Sequence, residues 1–121
     1  MQEFKLIVAG GRDFSDAKML EKAITDLAEG DYADKAVSIV SGMARGADML
    51  GHMFAVKHNV VVYAMPADWE QYGKRAGMLR NTEMAEFADG LLLFWDGASK
   101  GSKNMLDTMR KLGKPVHVIH Y

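Results

Sequence analysis

The chain has 121 residues, of which 49% are hydrophobic and 26% charged, and its formal net charge is −1. This length supports one well-formed core but not two, so we expect a single domain over residues 1–121. The charge balance argues against a non-specific nucleic-acid binder, which usually carries a basic excess. The absence of cysteine excludes disulfides and thiolate chemistry. The N-terminal segment is too short and too acidic for a signal peptide, and no apolar run approaches membrane-spanning length, so we expect a cytoplasmic protein without a membrane partner.

Apolar runs and helical patterns alternate from one end of the chain to the other. The predicted strands are 4–9, 37–40, 60–65, 91–95 and 116–120. Most are continuous apolar runs, which is typical of parallel strands covered on both faces. The predicted helices start near Ser15 as N-cap and then cover about 47–58, 74–87 and 102–112. The pattern predicts an α/β, Rossmann-like domain with a doubly wound parallel sheet of about five strands and four helices.

The apolar face of each predicted helix follows from helical spacing. The expected buried positions are Leu20, Ala23, Ile24, Leu27 and Ala28 in the first helix, Leu50, Met53 and Phe54 in the second, Leu79, Met84 and Phe87 in the third, and Met105, Met109 and Leu112 in the fourth.

A strand that runs into a glycine-rich loop with an arginine and an aspartate occurs twice, at 4–16 and at 36–48. Glycine allows a close approach to a ligand, and arginine offers a planar set of donors suited to phosphate or carboxylate. The candidate ligand-binding residues here are Gly10, Gly11, Arg12 and Asp13 in the first loop and Ser41, Gly42, Arg45, Gly46 and Asp48 in the second. The alternative is a pair of tight turns in which Arg12 pairs with Asp13, and Arg45 with Asp48 or Asp13. Neither GxxxxGK[ST] nor GxGxxG is present, which disfavours an ATPase or a standard dinucleotide fingerprint.

Two further strand-to-helix loops also carry unusual residues. Asp68 can accept from a base or ribose hydroxyl, and Trp69 can stack on a base or form an aromatic lid or a subunit contact. Arg80 and Asn81 interrupt an otherwise apolar helix face, and a polar pair there answers either a ligand or a loop carbonyl. The fourth loop offers amides and hydroxyls at a helix N-terminus, through Asp96, Gly97, Ser99, Gly101 and Ser102.

All four loops follow strands of a parallel sheet, so they are predicted to meet at its carboxyl edge in one site. Such a site suits a phosphorylated, nucleotide-like small molecule, whose identity the residues leave open. The histidine spacings, 52 with 58 and 117 with 120, do not suggest a metal site.

The motifs GGRDF, SGxARGAD, PADW, AGxxRN and FWDGxSxG resemble, over roughly residues 5–120, the small stand-alone proteins related to YpsA in the SLOG superfamily. Many of those proteins are encoded by phages or plasmids. The resemblance implies a Rossmann-like fold and binding of nucleotides or nucleotide-derived ligands, with no established enzymatic activity. It also implies a homo-oligomer, at least a dimer, formed through helices beside the site. Met78 next to Leu79 broadens the apolar face of the third predicted helix and agrees with that expectation.

The same superfamily includes phosphoribohydrolases and a DNA-processing protein that loads recombinase on single strands. Arg80 is similar to an arginine of the phosphoribohydrolases, and Gly101-Ser102 resembles the Gly-Thr pair of their phosphate loop. Their catalytic glutamate, however, falls on Asn104 or Met105 in this sequence. The preferred function is therefore non-covalent nucleotide binding in a sensor or accessory role. The alternatives are N-glycosidic hydrolysis of a nucleoside monophosphate, with a loop aspartate replacing the glutamate, and binding of single-stranded nucleic acid, which the net charge weakens.

The first prediction is that the protein lacks phosphoribohydrolase activity. Neither Asn104 nor Met105 can act as an acid–base group, and losing such a group typically removes ~10²–10⁴-fold of rate. Incubation with adenosine monophosphate and other nucleoside monophosphates should release no free base. Turnover that disappears on Asp→Asn substitution at Asp13, Asp48, Asp68 or Asp96 would instead support the hydrolase.

Overall fold

The computed structural model describes residues 1–121 and contains one five-stranded, all-parallel sheet. The strands are β1 (Gln2–Gly10), β2 (Lys35–Ser41), β3 (Val62–Ala64), β4 (Gly90–Trp95) and β5 (Val116–His120). Their order in the sheet is β3-β2-β1-β4-β5. The predicted Rossmann-like α/β fold with five parallel strands is confirmed.

Four long helices connect the strands, as predicted, and one short helix was not predicted. The helices are α1 (Ala17–Glu29), α2 (Ala47–Lys57), α3 (Trp69–Tyr72), α4 (Ala76–Phe87) and α5 (Lys100–Lys111). The third predicted helix corresponds to α4. It begins at Ala76, two residues after the predicted start at 74, because the single-turn α3 and a 3₁₀ turn at Gly73–Arg75 precede it. The N-cap of α1 is Asp16, whose carboxylate accepts from the Met19 N–H at 3.0 Å, so the prediction of Ser15 is wrong by one residue.

Alternate residues of β1 face two separate cores. Leu6 and Val8 pack with α1 and α2, while Ile7 and Ala9 pack with α4 and α5. This alternation follows from the two-residue period of a strand, and it makes β1 the buried centre of the fold.

Some of the predicted helix faces are wrong. In α2 the buried residues are the small ones, including Gly51 and Ala55, because this helix packs closely against β1, and Met53 is 57% exposed. In α4 Met84 is buried as predicted, but Leu79 and Phe87 are exposed, because the helix turns Asn81 inward beside Met84. Leu112 follows the end of α5 and is also exposed.

The connections leave β1 and β4 in opposite directions along the sheet, since β1 is followed by β2 on one side and β4 by β5 on the other. In open parallel sheets such a reversal opens a crevice at the carboxyl ends of the two strands. The first and fourth loops of the sequence border this crevice. No helix has both the length and the apolar character that crossing a membrane requires.

Truncation of a β1 core residue tests this packing. Leu6 is fully buried in the centre of the sheet, so Leu6→Ala should lower the free energy of unfolding by about 2–5 kcal/mol through lost burial and an unfilled cavity. The matched control is Leu112→Ala, at a side chain that is 46% exposed, with an expected change below about 1 kcal/mol. Urea unfolding measures both. Equal losses in the two variants would contradict the core assignment.

Candidate functional site

A cleft of about 550 Å³ opens at the carboxyl ends of β1 and β4. Thirteen of the residues singled out in the sequence line it: Gly10, Gly11, Arg12, Asp13, Arg45, Asp48, Trp69, Arg80, Asn81, Asp96, Ser99, Gly101 and Ser102. They come from all four strand-to-helix connections, so the fold brings these connections together at one edge of the sheet.

Two further spaces, each lined by fewer residues than the cleft, adjoin it. We call the first the side pocket: about 380 Å³, beside the cleft, with Gly42, Met43, Pro66 and Ala67 in its wall. We call the second the groove: about 610 Å³, lined by Phe14, Ser15, Gly46, Met49 and Leu50 together with residues shared with the cleft. Arg12 and Arg45 line all three spaces.

Three of the predicted site residues, Ser41, Asp68 and Gly97, line none of these spaces. Ser41 is fully buried, and its hydroxyl donates to the Asp48 carbonyl at 2.9 Å while accepting from the Met43 N–H at 3.1 Å. The hydroxyl therefore uses both its donor and its acceptor capacity to stabilise the second loop. The Asp68 carboxylate accepts from the Gln71 N–H and caps α3. The structure therefore gives Ser41 and Asp68 local structural roles in place of the predicted contact with a ligand.

The two arginine-bearing loops touch each other at Gly46. Its φ is +89°, and a Cβ there would lie 2.2 Å from the Gly11 carbonyl oxygen, so only glycine fits. The adjacent Ala47 N–H donates to that same oxygen at 3.2 Å. This contact fixes the separation of the two loops and keeps Arg12 and Arg45 at the border between the cleft and the groove.

Arg80 is held firmly in the wall of the cleft. Its Nη1 donates to the Gly42 carbonyl at 2.6 Å, and its Nε donates to Asn81 Oδ1 at 3.0 Å. A Cβ at Gly42 would lie 2.5 Å from Arg80 Nη1 and 2.7 Å from Asp48 Oδ2, so a larger residue there would displace these two side chains from their present positions. Burial lowers the pKa of Arg80, Asp48 raises it, and the nearby Arg12 lowers it further.

Arg12, Arg45 and Arg80 have no carboxylate oxygen within 4 Å. The alternative expectation, that Arg12 and Arg45 pair with loop aspartates, is therefore wrong. Asp13 instead accepts from the Tyr121 hydroxyl at 2.5 Å, and Asp96 accepts from the Ala98 and Ser99 amides. The aspartates are engaged elsewhere, and the guanidinium groups beside the cleft are left without counter-charges in direct contact.

Asp48 is the one deeply buried carboxylate of the cleft, with 4% of its surface exposed. Burial raises its pKa from 3.8 to about 6, against the opposing effects of Arg80, the Ala44 and Gly10 amides, and Arg12. At neutral pH a group with this pKa is mostly ionised, so Asp48 keeps a negative charge in the cleft at a cost in desolvation.

Asn81 connects α4 to the fourth loop. Its Nδ2 donates to Asn104 Oδ1 at 3.0 Å and lies 3.4 Å from the Gly101 carbonyl. Ser99 caps α5 by accepting from the Ser102 N–H. The Ser102 hydroxyl lines the cleft and makes no hydrogen bond within the chain, so it is free to donate to a ligand.

Sequence reasoning missed much of the cleft wall. Lys74, Gly77, Met78, Leu93, Met84 and Met105 also line it. Gly77, Arg80, Asn81 and Met84 form one helical stripe, and this spacing was a usable signal once Arg80 and Asn81 had been noticed. Nothing in the sequence indicated that Tyr121 would reach Asp13 across the sheet.

The fold and this edge define a Rossmann-like α/β protein whose strand-to-helix loops form a single arginine-lined cleft. The chain belongs to the YspA, cpYpsA-related SLOG family, whose model matches residues 4–72. A relative at 34% identity over 118 residues is the Gene 61 protein of Mycobacterium phage D29, and the match covers 93% of each chain.

Two solved structures have a similar fold. DNA processing protein A (DprA) from Streptococcus pneumoniae matches with a TM-score of 0.76 and 21% identity, over 97% of this chain and 50% of that one. DNA processing protein A from Helicobacter pylori, described with a single-stranded DNA binding mode, matches with a TM-score of 0.67 and 19% identity, over 95% of this chain and 64% of that one. The chain thus spans about half the length of the Streptococcus protein.

The pH dependence of stability tests the environment of Asp48. Because folding raises its pKa, the folded protein binds more protons than the unfolded chain between about pH 4 and 6. The contribution of Asp48 to the free energy of unfolding should therefore fall as the pH rises through this range, by on the order of 3 kcal/mol, and level off above about pH 7.

The comparison uses Asp48→Asn, which removes this titration, and Asp34→Asn as an exposed control. Urea unfolding from pH 4 to 8 should show Asp48→Asn becoming more stable relative to the wild type as the pH rises. The control variant should follow the wild type. Parallel pH profiles for all three proteins would contradict the burial of Asp48.

Proposed function

We propose that this protein binds a nucleotide or nucleotide-derived phosphorylated small molecule in the cleft, in a sensor or accessory role without catalysis. The observation that supports this most is the convergence of Arg12, Arg45 and Arg80 on one cleft with no carboxylate in contact with any of them. A guanidinium group without a carboxylate partner is available to bind phosphate, because two of its parallel N–H groups can donate to two phosphate oxygens.

Electrostatics within the site favours an anion. Burial is the main cause that lowers the pKa of Arg80, the attraction of Asp48 offsets part of this effect, and repulsion from Arg12 adds to it. A bound phosphate would relieve this repulsion, and Arg80 is already oriented by Gly42 and Asn81 to receive it. Preorganised donors lower the entropy cost of binding.

The remaining wall of the cleft suits a base. Met78, which is 60% exposed, and the half-exposed Trp69, which lies beside Gly77, provide an apolar rim above the buried Met84 and Met105. Methionine and tryptophan offer polarisable surfaces for a planar ring. A molecule with a phosphate at one end and a base at the other fits this division.

The alternative function, N-glycosidic hydrolysis of a nucleoside monophosphate, has less support. The Asn104 amide oxygen accepts from Asn81, and Met105 is buried, so both positions of the missing glutamate have structural roles. Asp48 has a pKa suited to proton transfer, and it is the loop aspartate to examine first if the expected absence of base release is not observed.

Single-stranded nucleic acid is the second candidate ligand, favoured by one observation. The two arginines that border the cleft, Arg12 and Arg45, are exposed and unpaired, as phosphate-backbone contacts require. The name of the Helicobacter pylori structure attributes single-stranded DNA binding to that protein. A steep fall of oligonucleotide affinity with salt would support this function, whereas the net charge of −1 leads us to expect none.

The proposal predicts a specific loss in an Arg80 variant. Arg80→Ala should weaken binding of a nucleoside phosphate by roughly 1.5–3 kcal/mol, because a hydrogen bond to a charged group is lost. Isothermal titration calorimetry with adenosine mono- and diphosphate measures this loss. A thermal melt should show the variant still folded, since Arg80 lies at the rim of the core rather than within it.

Arg110→Ala is the matched control for removal of an arginine. Arg110 is exposed on the last turn of α5, outside the cleft, so its variant should bind as the wild type does. Equal affinity of the Arg80 variant and the wild type would refute the site.

A further inference from the structure

The cleft and the groove are two compartments on either side of a shared pair of arginines. Arg12, Asp13 and Arg45 are the only residues that line both spaces. Both arginines are exposed and lack a carboxylate partner, and the carboxylate of Asp13 accepts from Tyr121. The positive charge therefore lies at the boundary, within reach of either compartment.

The groove has an apolar wall made by three side chains: Phe14 from the first loop, and Met49 and Leu50 from the first turn of α2. Phe14 is held in place by stacking on Phe94, with the ring centroids 4.6 Å apart. The groove offers no charged group other than the boundary residues. This composition suits a planar ring and is unsuited to a second phosphate.

The cleft on the other side of the boundary has exposed apolar side chains at its rim, Met78 and the half-exposed Trp69. The order across the surface is thus the apolar groove, two unpaired guanidinium groups, and a polar cleft with Met78 and Trp69 at its rim. The two compartments have similar volumes, about 550 and 610 Å³. A mononucleotide would occupy one compartment and leave the other empty.

We propose that the ligand is a dinucleotide, with its bridging phosphates among Arg12, Arg45 and Arg80, one base at the Trp69 and Met78 rim of the cleft and the other in the groove. This proposal rests on the proposed function and specifies its ligand class. The GxGxxG fingerprint is not needed for it, because side-chain guanidinium groups take the place that helix-terminal amides have in that fingerprint.

The contact between the two loops supports this arrangement. The Gly46 position brings the first and second loops together so closely that the Gly11 carbonyl accepts both the Ala47 and the Phe14 N–H, each at 3.2 Å. The arginines are thereby carried by a rigid junction, and the walls of the groove, Phe14 and Met49, lie on either side of the same junction. A ligand that spans this junction would contact side chains whose backbone positions are already fixed.

The test compares adenosine diphosphate with diadenosine pyrophosphate by calorimetry on the full chain. Both molecules contain two phosphates, and only the second has another base. Diadenosine pyrophosphate carries less negative charge, so charge alone would favour adenosine diphosphate. We expect diadenosine pyrophosphate to bind at least about tenfold more tightly, since a second ring leaves water for an apolar surface.

Variants of two methionines on α2 separate the compartments. Met49→Ala should weaken diadenosine pyrophosphate binding about fivefold while leaving adenosine diphosphate within about twofold, because only the former reaches the groove. Met53→Ala, one turn further along the helix and 57% exposed, lies outside the groove and should change neither.

The other outcomes are distinct. Equal affinity for the two ligands, with no effect of Met49→Ala, overturns the dinucleotide and leaves nucleotide binding intact. Failure of both to bind overturns the proposed function and the dinucleotide together. A further large gain with a five-nucleotide single strand overturns the dinucleotide in favour of a single-stranded nucleic acid.

Discussion

The anchoring of Arg80 is the interaction on which the candidate site depends. Its guanidinium binds the Gly42 carbonyl of the second loop and the side chain of Asn81, which in turn binds Asn104 on α5. One chain of hydrogen bonds therefore connects the second loop, α4 and α5 across the open side of the sheet. Helix α4 packs Met84 and Ala85 into the core and carries Met78 at the cleft, so Arg80 is held between a fixed helix and the second loop.

The fold was predictable because its signals are local and repeated. Continuous apolar runs indicated the parallel strands, and the combination of glycine with arginine and aspartate in two strand-to-helix loops indicated the carboxyl edge. The buried faces of α2 and α4 were only partly predictable from apolar spacing, since Gly51 and Ala55 face the sheet in place of Met53, and Asn81 takes a buried position through hydrogen bonds. Ser41 was misread for a related reason: a buried hydroxyl that shapes a loop has the same sequence context as one that binds a ligand.

The site carries an electrostatic cost that the core does not require. Asp48 is buried where its charged form is disfavoured, and Arg12 and Arg80 repel each other across the cleft. Structural ion pairs would remove this cost, and aspartates are available nearby. Instead Asp13 and Asp96 are bound by Tyr121 and by backbone amides, so the loops keep their carboxylates away from the arginines. Such a departure from local optimisation is characteristic of functional positions.

The positions of the absent glutamate explain how phosphate recognition and catalysis can separate. Asn104 cannot transfer a proton, yet its amide oxygen accepts the hydrogen bond that holds Asn81, and Asn81 orients Arg80. A carboxylate at this position would add a negative charge beside the arginine and weaken its attraction for phosphate. The neutral amide keeps the same hydrogen bond without that charge. Under the proposed function, Asn104 would favour binding of the anion while lacking the acid–base group that hydrolysis requires.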